Sequence, residues 1–218
     1  MKVVKLSKKA ILDAADVIQE GGIVCFPTDT IYGLLADATN KDAVERLYEI
    51  RRPSGRPFLL LIPEDPSILW SPQALDLRVG NVCDLLLFEF NATFVFYKRK
   101  PIPQYLLKGR KSFAVRLPAP QTHVMGLLNL VGVPLTAPSA NPEGEKPATT
   151  IKEAVEYFGN KVDLYVDGGT LKGKPSTIVR CLYPKGLRLI REGNIPFKKI
   201  LERYKELIAS YYGIGDAP

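Results

Sequence analysis

Residues Gly21 to Pro57, GGIVCFPTDTIYGLLADATNKDAVERLYEIRRPSGRP, decide the reading of this chain: strand, polar turn, helix, basic exit. Ile23-Val24-Cys25-Phe26 is short, apolar and rich in β-formers, and the glycine pair before it suits the C-cap of an earlier helix. Pro27 ends the strand. Thr28, Asp29, Thr30 and Tyr32 then crowd hydroxyl and carboxyl groups at its C-terminal end, where open α/β sheets collect ligands. The next helix has Asn40 as its N-cap and Ala43, Leu47 and Ile50 on its buried stripe, and it delivers Arg51, Arg52 and Arg56 to one exit. Guanidinium groups match phosphate or carboxylate oxygens bidentately, so this cluster beside a hydroxyl-rich turn reads as an anion site.

Composition limits the alternatives. The 218 residues are 46% hydrophobic and 24% charged, ordinary globular material with a core large enough to stand without staples. Three scattered cysteines, Cys25, Cys83 and Cys181, argue against a disulfide framework or metal cluster and read as core filler in a reducing compartment. No signal pattern or membrane-length apolar run is present, so a cytoplasmic protein is expected. The net charge of +7 attracts polyanions or nucleotides without specifying either. One histidine, His123, excludes paired-histidine metal sites, and it excludes a Ser-His-Asp triad unless it reaches a serine; no protein metal site is expected.

Outward from the opening stretch, Lys2 to Leu6 reads as a strand and Ser7 caps an apolar-striped helix ending at Gly21-Gly22. Phe58 to Ile62 is a buried strand, Trp70 sits in a proline-bracketed loop, and Gln73 to Glu89 is helical with an interruption at Gly80. Thr93 to Tyr97 and Phe113 to Leu117 are strands, the second carrying Arg116 in an apolar context; such a charge is paired or aimed into a cleft. A helix runs from His123 to about Val131, and the strand Gly132 to Ala137 ends in the small polar turn Pro138 to Gly144. Thr149-Thr150 cap a helix through Phe158, and Asp163 to Asp167 is a strand. Gly168 to Lys174 imitates a Walker loop, but Pro175 replaces the magnesium-binding hydroxyl and a strand follows instead of a helix, so it is not one. A hairpin, Ser176 to Leu182 with Leu187 to Arg191, precedes a C-terminal helix whose stripe from Phe197 to Tyr211 reads as core. Buried parallel-type strands and hairpins together predict a mixed sheet with a central cleft.

FPTDTIYGL with its basic helix exit resembles the opening of the YrdC family, the threonylcarbamoyl-AMP synthases. Four later stretches agree in order: Ala114 to Pro118, Ala137-Pro138-Ser139-Ala140-Asn141, Asp167-Gly168-Gly169 with Pro175-Ser176-Thr177, and Ile190 to Gly193. The resemblance covers about residues 20–195 and implies one α/β domain over 1–218, a twisted mixed sheet flanked by helices around a basic cleft, with a helix over 196–212; longer relatives append a second domain where this chain stops. It implies condensation of ATP, L-threonine and bicarbonate into threonylcarbamoyl-AMP with Mg²⁺ accompanying the ATP, for tRNA modification, with downstream tRNA-modification proteins and tRNA or double-stranded RNA as partners. By position it assigns catalysis to Arg51, Arg52 and Arg56, threonine binding to Thr28, Thr30 and Arg116, and nucleotide binding to Ser139, Asn141, Ser176 and Arg191. Three departures stand out: Arg51-Arg52-Pro53 in place of Lys-X-Arg-Pro, Asn91-Ala92-Thr93 where the family has Pro-Gly-Pro-X-Thr, and Pro142-Glu143-Gly144 after the Ser-Ala-Asn. The helix exit looks partly like the YciO branch, and the alternative reading is a non-synthase RNA- or nucleotide-binding protein on the same fold.

Overall fold

A computed structural model describes residues 1–51, 54–65, 82–98 and 101–212. Arg52, Trp70 and the expected helix before Val82 lie outside them. Ten strands form one mixed sheet: β1 (Lys2–Lys5), β2 (Val24–Pro27), β3 (Tyr32–Asp37), β4 (Leu59–Leu61), β5 (Thr93–Tyr97), β6 (Ser112–Arg116), β7 (Leu135–Thr136), β8 (Leu164–Asp167), β9 (Ile178–Cys181) and β10 (Leu187–Arg191). Their spatial order is β1-β8-β2-β3-β7-β4-β6-β5-β9-β10. Strands β1, β2 and β8 pair in parallel, as do β4 with β6 and β5 with β9, while hairpins such as β2–β3 and β9–β10 supply the antiparallel ladders.

Among the described residues seven α-helices flank the sheet: α1 (Lys8–Gln19), α2 (Lys41–Arg51), α3 (Val82–Glu89), α4 (Gln104–Leu107), α5 (His123–Val131), α6 (Ile151–Phe158) and α7 (Phe197–Tyr212). Their starts follow local chemistry. Ser7 accepts from the Ala10 amide, Asn40 from Ala43, and Thr150 forms a reciprocal capping box with Glu153. No helix among the described residues is long and apolar enough to cross a membrane.

The two faces of the sheet are covered unequally, and that creates the cavity. Alternation sends Cys25, Leu34, Leu60, Val115 and Phe94 to one face, where residues of α2, α3, α4, α6 and α7 pack over them. Phe26, Leu35, Leu61 and Leu164 point the other way, and α1 and α5 cover that face with Ala14, Ile18, Val124 and Leu128. Toward β5, β9 and β10 this second face opens to solvent: Ile190 is 48% and Tyr97 50% exposed. The two apolar clusters are thus the two sides of one sheet.

Strand β3 departs from the sequence reading, which passed from turn to helix. Tyr32-Gly33-Leu34-Leu35-Ala36 is buried throughout, so it lacks the polar alternation that marks a half-exposed strand. The strand after Gly132 is only two residues long, and Tyr211 at the end of the α7 stripe is 67% exposed instead of core. Elsewhere on that stripe Ile200 and Tyr204 are buried as expected, while Phe197, Leu201, Leu207 and Ile208 are half-buried.

Candidate functional site

Register assembles the cavity floor. Leu61 opposes Arg116, Arg116 opposes Thr93, Thr93 opposes Ile178, and Ile178 opposes Arg191, so five strands place these side chains in one row. All five line a cavity of about 360 Å³, at the small end of the range for small-molecule sites. Leu59, Ala114 and Val95 form the apolar row beneath. The walls are the Thr28–Tyr32 turn, the Pro138-Ser139 turn and the Pro175-Ser176 segment.

The first wall is organised by hydrogen bonds inside the turn. Thr28 donates its hydroxyl proton to the Ile31 carbonyl at 2.6 Å and accepts from the Thr30 and Ile31 amides. A hydroxyl has one proton, so in the 3.1 Å pair between the two side chains Thr30 is the donor. Thr30 in turn accepts from Arg116 Nη1 at 3.3 Å. Arg116 also donates from Nε to the Asn91 carbonyl at 3.3 Å and from Nη2 to Asp29 Oδ2 at 2.7 Å. Only 2% of Arg116 is exposed. Burial pulls its guanidinium below the ordinary arginine range, and Asp29 opposes that shift.

Opposite, Ser176 shares a 2.8 Å hydrogen bond with Thr93, and Arg191 donates twice to the Ser176 carbonyl, at 3.3 and 2.9 Å. Tyr32 tethers the loop leading to this wall: its hydroxyl accepts from Gly168 N and donates to Gly169 O, and burial pushes its pKa up to about 12. At Gly173 the loop lies against the backbone of Thr30 so closely that a Cβ would collide with its carbonyl oxygen. The next ordered element is strand β9, so the Walker-like run lacks the helix such loops serve.

Of the residues singled out in the sequence, Thr28, Thr30, Arg116, Ser139, Ser176 and Arg191 meet around this cavity. Arg51, Arg56 and Asn141 do not line it. Arg51 is turned into the protein, donating from Nε to the Ser139 carbonyl at 2.8 Å and from Nη2 to Ser139 Oγ and Asn141 Oδ1, both at 3.3 Å. Helix α2 ends with this side chain on its buried stripe, beside Leu47 and Tyr48. The resemblance assigns this side chain to catalysis; in the structure it ties α2 to the 138–141 turn. Asn141 is likewise a turn former, donating to the Pro142 and Glu145 carbonyls at 2.9 and 2.8 Å. Arg56 is exposed and pairs with Glu143 at 3.0 Å. His123 is exposed at the start of α5, and all three cysteines are buried free thiols. Thr93 and Asp29 had no assigned role: the first becomes visible only through register, the second only through its partner.

The chain matches the Sua5/YciO/YrdC family model, described as telomere recombination, over residues 16–193. It belongs to that family. It is 32% identical over 193 residues to the threonylcarbamoyl-AMP synthase of Pyrococcus abyssi, a match covering 86% of this chain and 55% of that protein, so the chain spans about half the length of that relative. Among solved structures, P. abyssi Sua5 complexed with L-threonine superposes with a TM-score of 0.77 at 30% identity, covering 94% of this chain and 60% of the other. Escherichia coli YciO gives 0.74 at 29% identity and covers 92% and 97%. The YrdC-type mixed sheet is therefore shared with a threonine-binding member and with YciO alike.

Proposed function

We propose that this Sua5/YciO/YrdC chain is an L-threonylcarbamoyladenylate synthase, condensing ATP, L-threonine and bicarbonate to threonylcarbamoyl-AMP and pyrophosphate. The observation that carries the reading is the cavity lining: hydroxyls, apolar residues and two arginines, with no carboxylate, imidazole or thiol among the described residues. Such a lining suits a reaction whose nucleophile belongs to the substrate. Threonine's amine attacks bicarbonate-derived CO₂ to give a carbamate, and a carbamate oxygen displaces pyrophosphate from the α-phosphate of ATP. The protein's task is then orientation and charge stabilisation.

In this reading Arg116 receives the threonine carboxylate beside Thr30. Three of its five N–H donors have partners among the described residues, which leaves one on each terminal nitrogen. Ser139, Ser176 and Arg191 face the nucleotide across the cavity, and Arg56 is assigned to its phosphates, an assignment Arg52 shares from the sequence alone. Mg²⁺ enters as part of the nucleotide substrate. The product is a reactive mixed anhydride, which tRNA-modification proteins would consume by acyl transfer to an adenosine.

The test is to incubate purified protein with ATP, L-threonine and bicarbonate and to measure pyrophosphate. Release that requires both co-substrates supports the reading, and ATP binding without release overturns it. The open sheet face, where register sets Arg180 opposite Arg188 beyond the cavity, favours a polyanion as the second reading. RNA binding that falls steeply with salt in a protein without synthase activity would establish that one.

A further inference from the structure

We infer that Asp29 is a positioning residue for Arg116: it fixes the guanidinium so that the remaining N–H donors face the cavity, without itself touching substrate. The inference rests on the reading of Arg116 as the carboxylate-binding group. Asp29 does not line the main cavity. It borders a separate hollow of about 350 Å³ with Thr122 and Gly168, on the far side of the Thr28–Ile31 turn. Its side chain is 7% exposed and that of Arg116 3%, so the pair lies within the wall.

The geometry is that of a clamp. Asp29 Oδ2 accepts from Arg116 Nη2 at 2.7 Å and from the Ala119 amide at 3.0 Å. Ala119 is three residues downstream of Arg116, so one oxygen ties the guanidinium and the backbone leaving β6 to the same point on the turn. Thr30 and the Asn91 carbonyl hold Nη1 and Nε, giving the planar head three anchors. An arginine side chain has many rotamers to lose on ligand binding, and prior anchoring removes that cost. Among the described residues Asp29 Oδ1 has no hydrogen-bond partner. The clamp therefore works through a single oxygen, and an asparagine could retain it, with its amide nitrogen in the place of Oδ1 and no acceptor lost.

This predicts a ligand-selective effect, read by titration calorimetry with L-threonine and with L-threoninamide, which lacks the carboxylate. Asp29→Ala should lower the preference for threonine over the amide on the order of tenfold, as expected for a coupled contact pair. Asp29→Asn should keep that preference within about threefold of wild type, because the clamping acceptor survives. A purely structural role, or one of bulk charge, predicts equal damage from the two variants or equal loss for both ligands, and either result overturns the inference. Either Asp29 variant leaves a buried guanidinium without its counter-ion and can fail to fold, the alanine more readily because it also removes the acceptor. The double variant Asp29→Ala/Arg116→Met carries neither buried charge, and Arg116→Met alone keeps only the Asp29 carboxylate, which still accepts from the Ala119 amide. If Asp29 acts through Arg116, the double variant has the same selectivity as the single one, whereas a further loss shows that Asp29 acts directly. A wild type indifferent to the carboxylate removes the Arg116 assignment and this inference with it; a selective wild type unaffected by Asp29→Ala removes the inference alone.

Discussion

Arg116 and Arg51 are buried to nearly the same degree, 2% and 4% exposed, yet the fold uses them in opposite ways. Arg116 stands on a strand, in a row that lines the cavity, and its fork is paired with Asp29. Arg51 closes a helix, and its fork grips Ser139 and Asn141, the turn that makes another wall of the same cavity. Burial alone does not distinguish an arginine that lines the cavity from one turned away from it. What distinguishes them is where the donors point, which follows from strand register in one case and from helix phase in the other.

The strongest way to break this comparison is Arg116→Met. Losing a charge-assisted contact in a desolvated site costs about 2 to 4 kcal/mol of binding, roughly a 30- to 1000-fold loss. The loss should fall on threonine, with ATP affinity within about threefold of wild type, as measured by calorimetry. Equal losses for both ligands would return Arg116 to a general structural role.

Arg51→Met is the mirror experiment. Removing a buried guanidinium that makes several hydrogen bonds should cost about 3 kcal/mol of stability, or roughly 6 to 12 °C in melting temperature for a chain of this length. A direct phosphate contact predicts instead a 10²- to 10³-fold drop in turnover at an unchanged melting temperature. Calorimetric melting with turnover assays on the same preparation separates the strut from the catalyst.

The difference between the two arginines also marks where the sequence was legible. Arg116 stood out because a charge in Phe113-Ala114-Val115-Arg116-Leu117 conflicts with its surroundings, and that conflict is local. The caps at Ser7, Asn40 and Thr150, the β9–β10 hairpin and the failed Walker loop were readable for the same reason. Arg51 stayed ambiguous because phosphate binding and a structural clamp require the same residue at a helix end, and its bond to Ser139, 88 positions away, cannot be read from chain order. Strand β3 escaped because burial on both faces erases the alternation that identifies a strand. Thr93 escaped because its partnership with Ser176 depends on the parallel pairing of β5 with β9.

A smaller effect should come from Gly173→Ala, which sharpens the comparison by disturbing only the Arg116 side. The new methyl would meet the Thr30 carbonyl, so either the 168–177 loop lifts or the turn holding Thr30 shifts. Overpacking of this kind costs about 1 to 3 kcal/mol. Threonine affinity should drop on the order of tenfold, with a smaller loss for ATP. Preserved threonine affinity would mean that the loop can move without disturbing Thr30 and Arg116.

Arg56 supplies the weakest effect and the last distinction, because it is the exposed member of the basic exit that Arg51 leaves for the interior. Its side chain is 64% exposed and pairs with Glu143, which also accepts from Ser54 at 2.7 Å. Exposed pairs contribute about 0 to 1 kcal/mol, so Arg56→Ala should leave the melting temperature almost unchanged. If Arg56 meets the triphosphate, it must exchange Glu143 for phosphate oxygens, and the net gain is a small difference between two solvated pairings. ATP affinity in the variant should fall by about three- to tenfold at low salt, the difference should shrink as salt screens the phosphates, and threonine affinity should hold. Glu143→Gln should act in the opposite direction, releasing Arg56 and tightening ATP binding by a few-fold at low salt. A variant pair that changes threonine binding instead would place Arg56 with Arg116, and the division between the two sides of the cavity would fail.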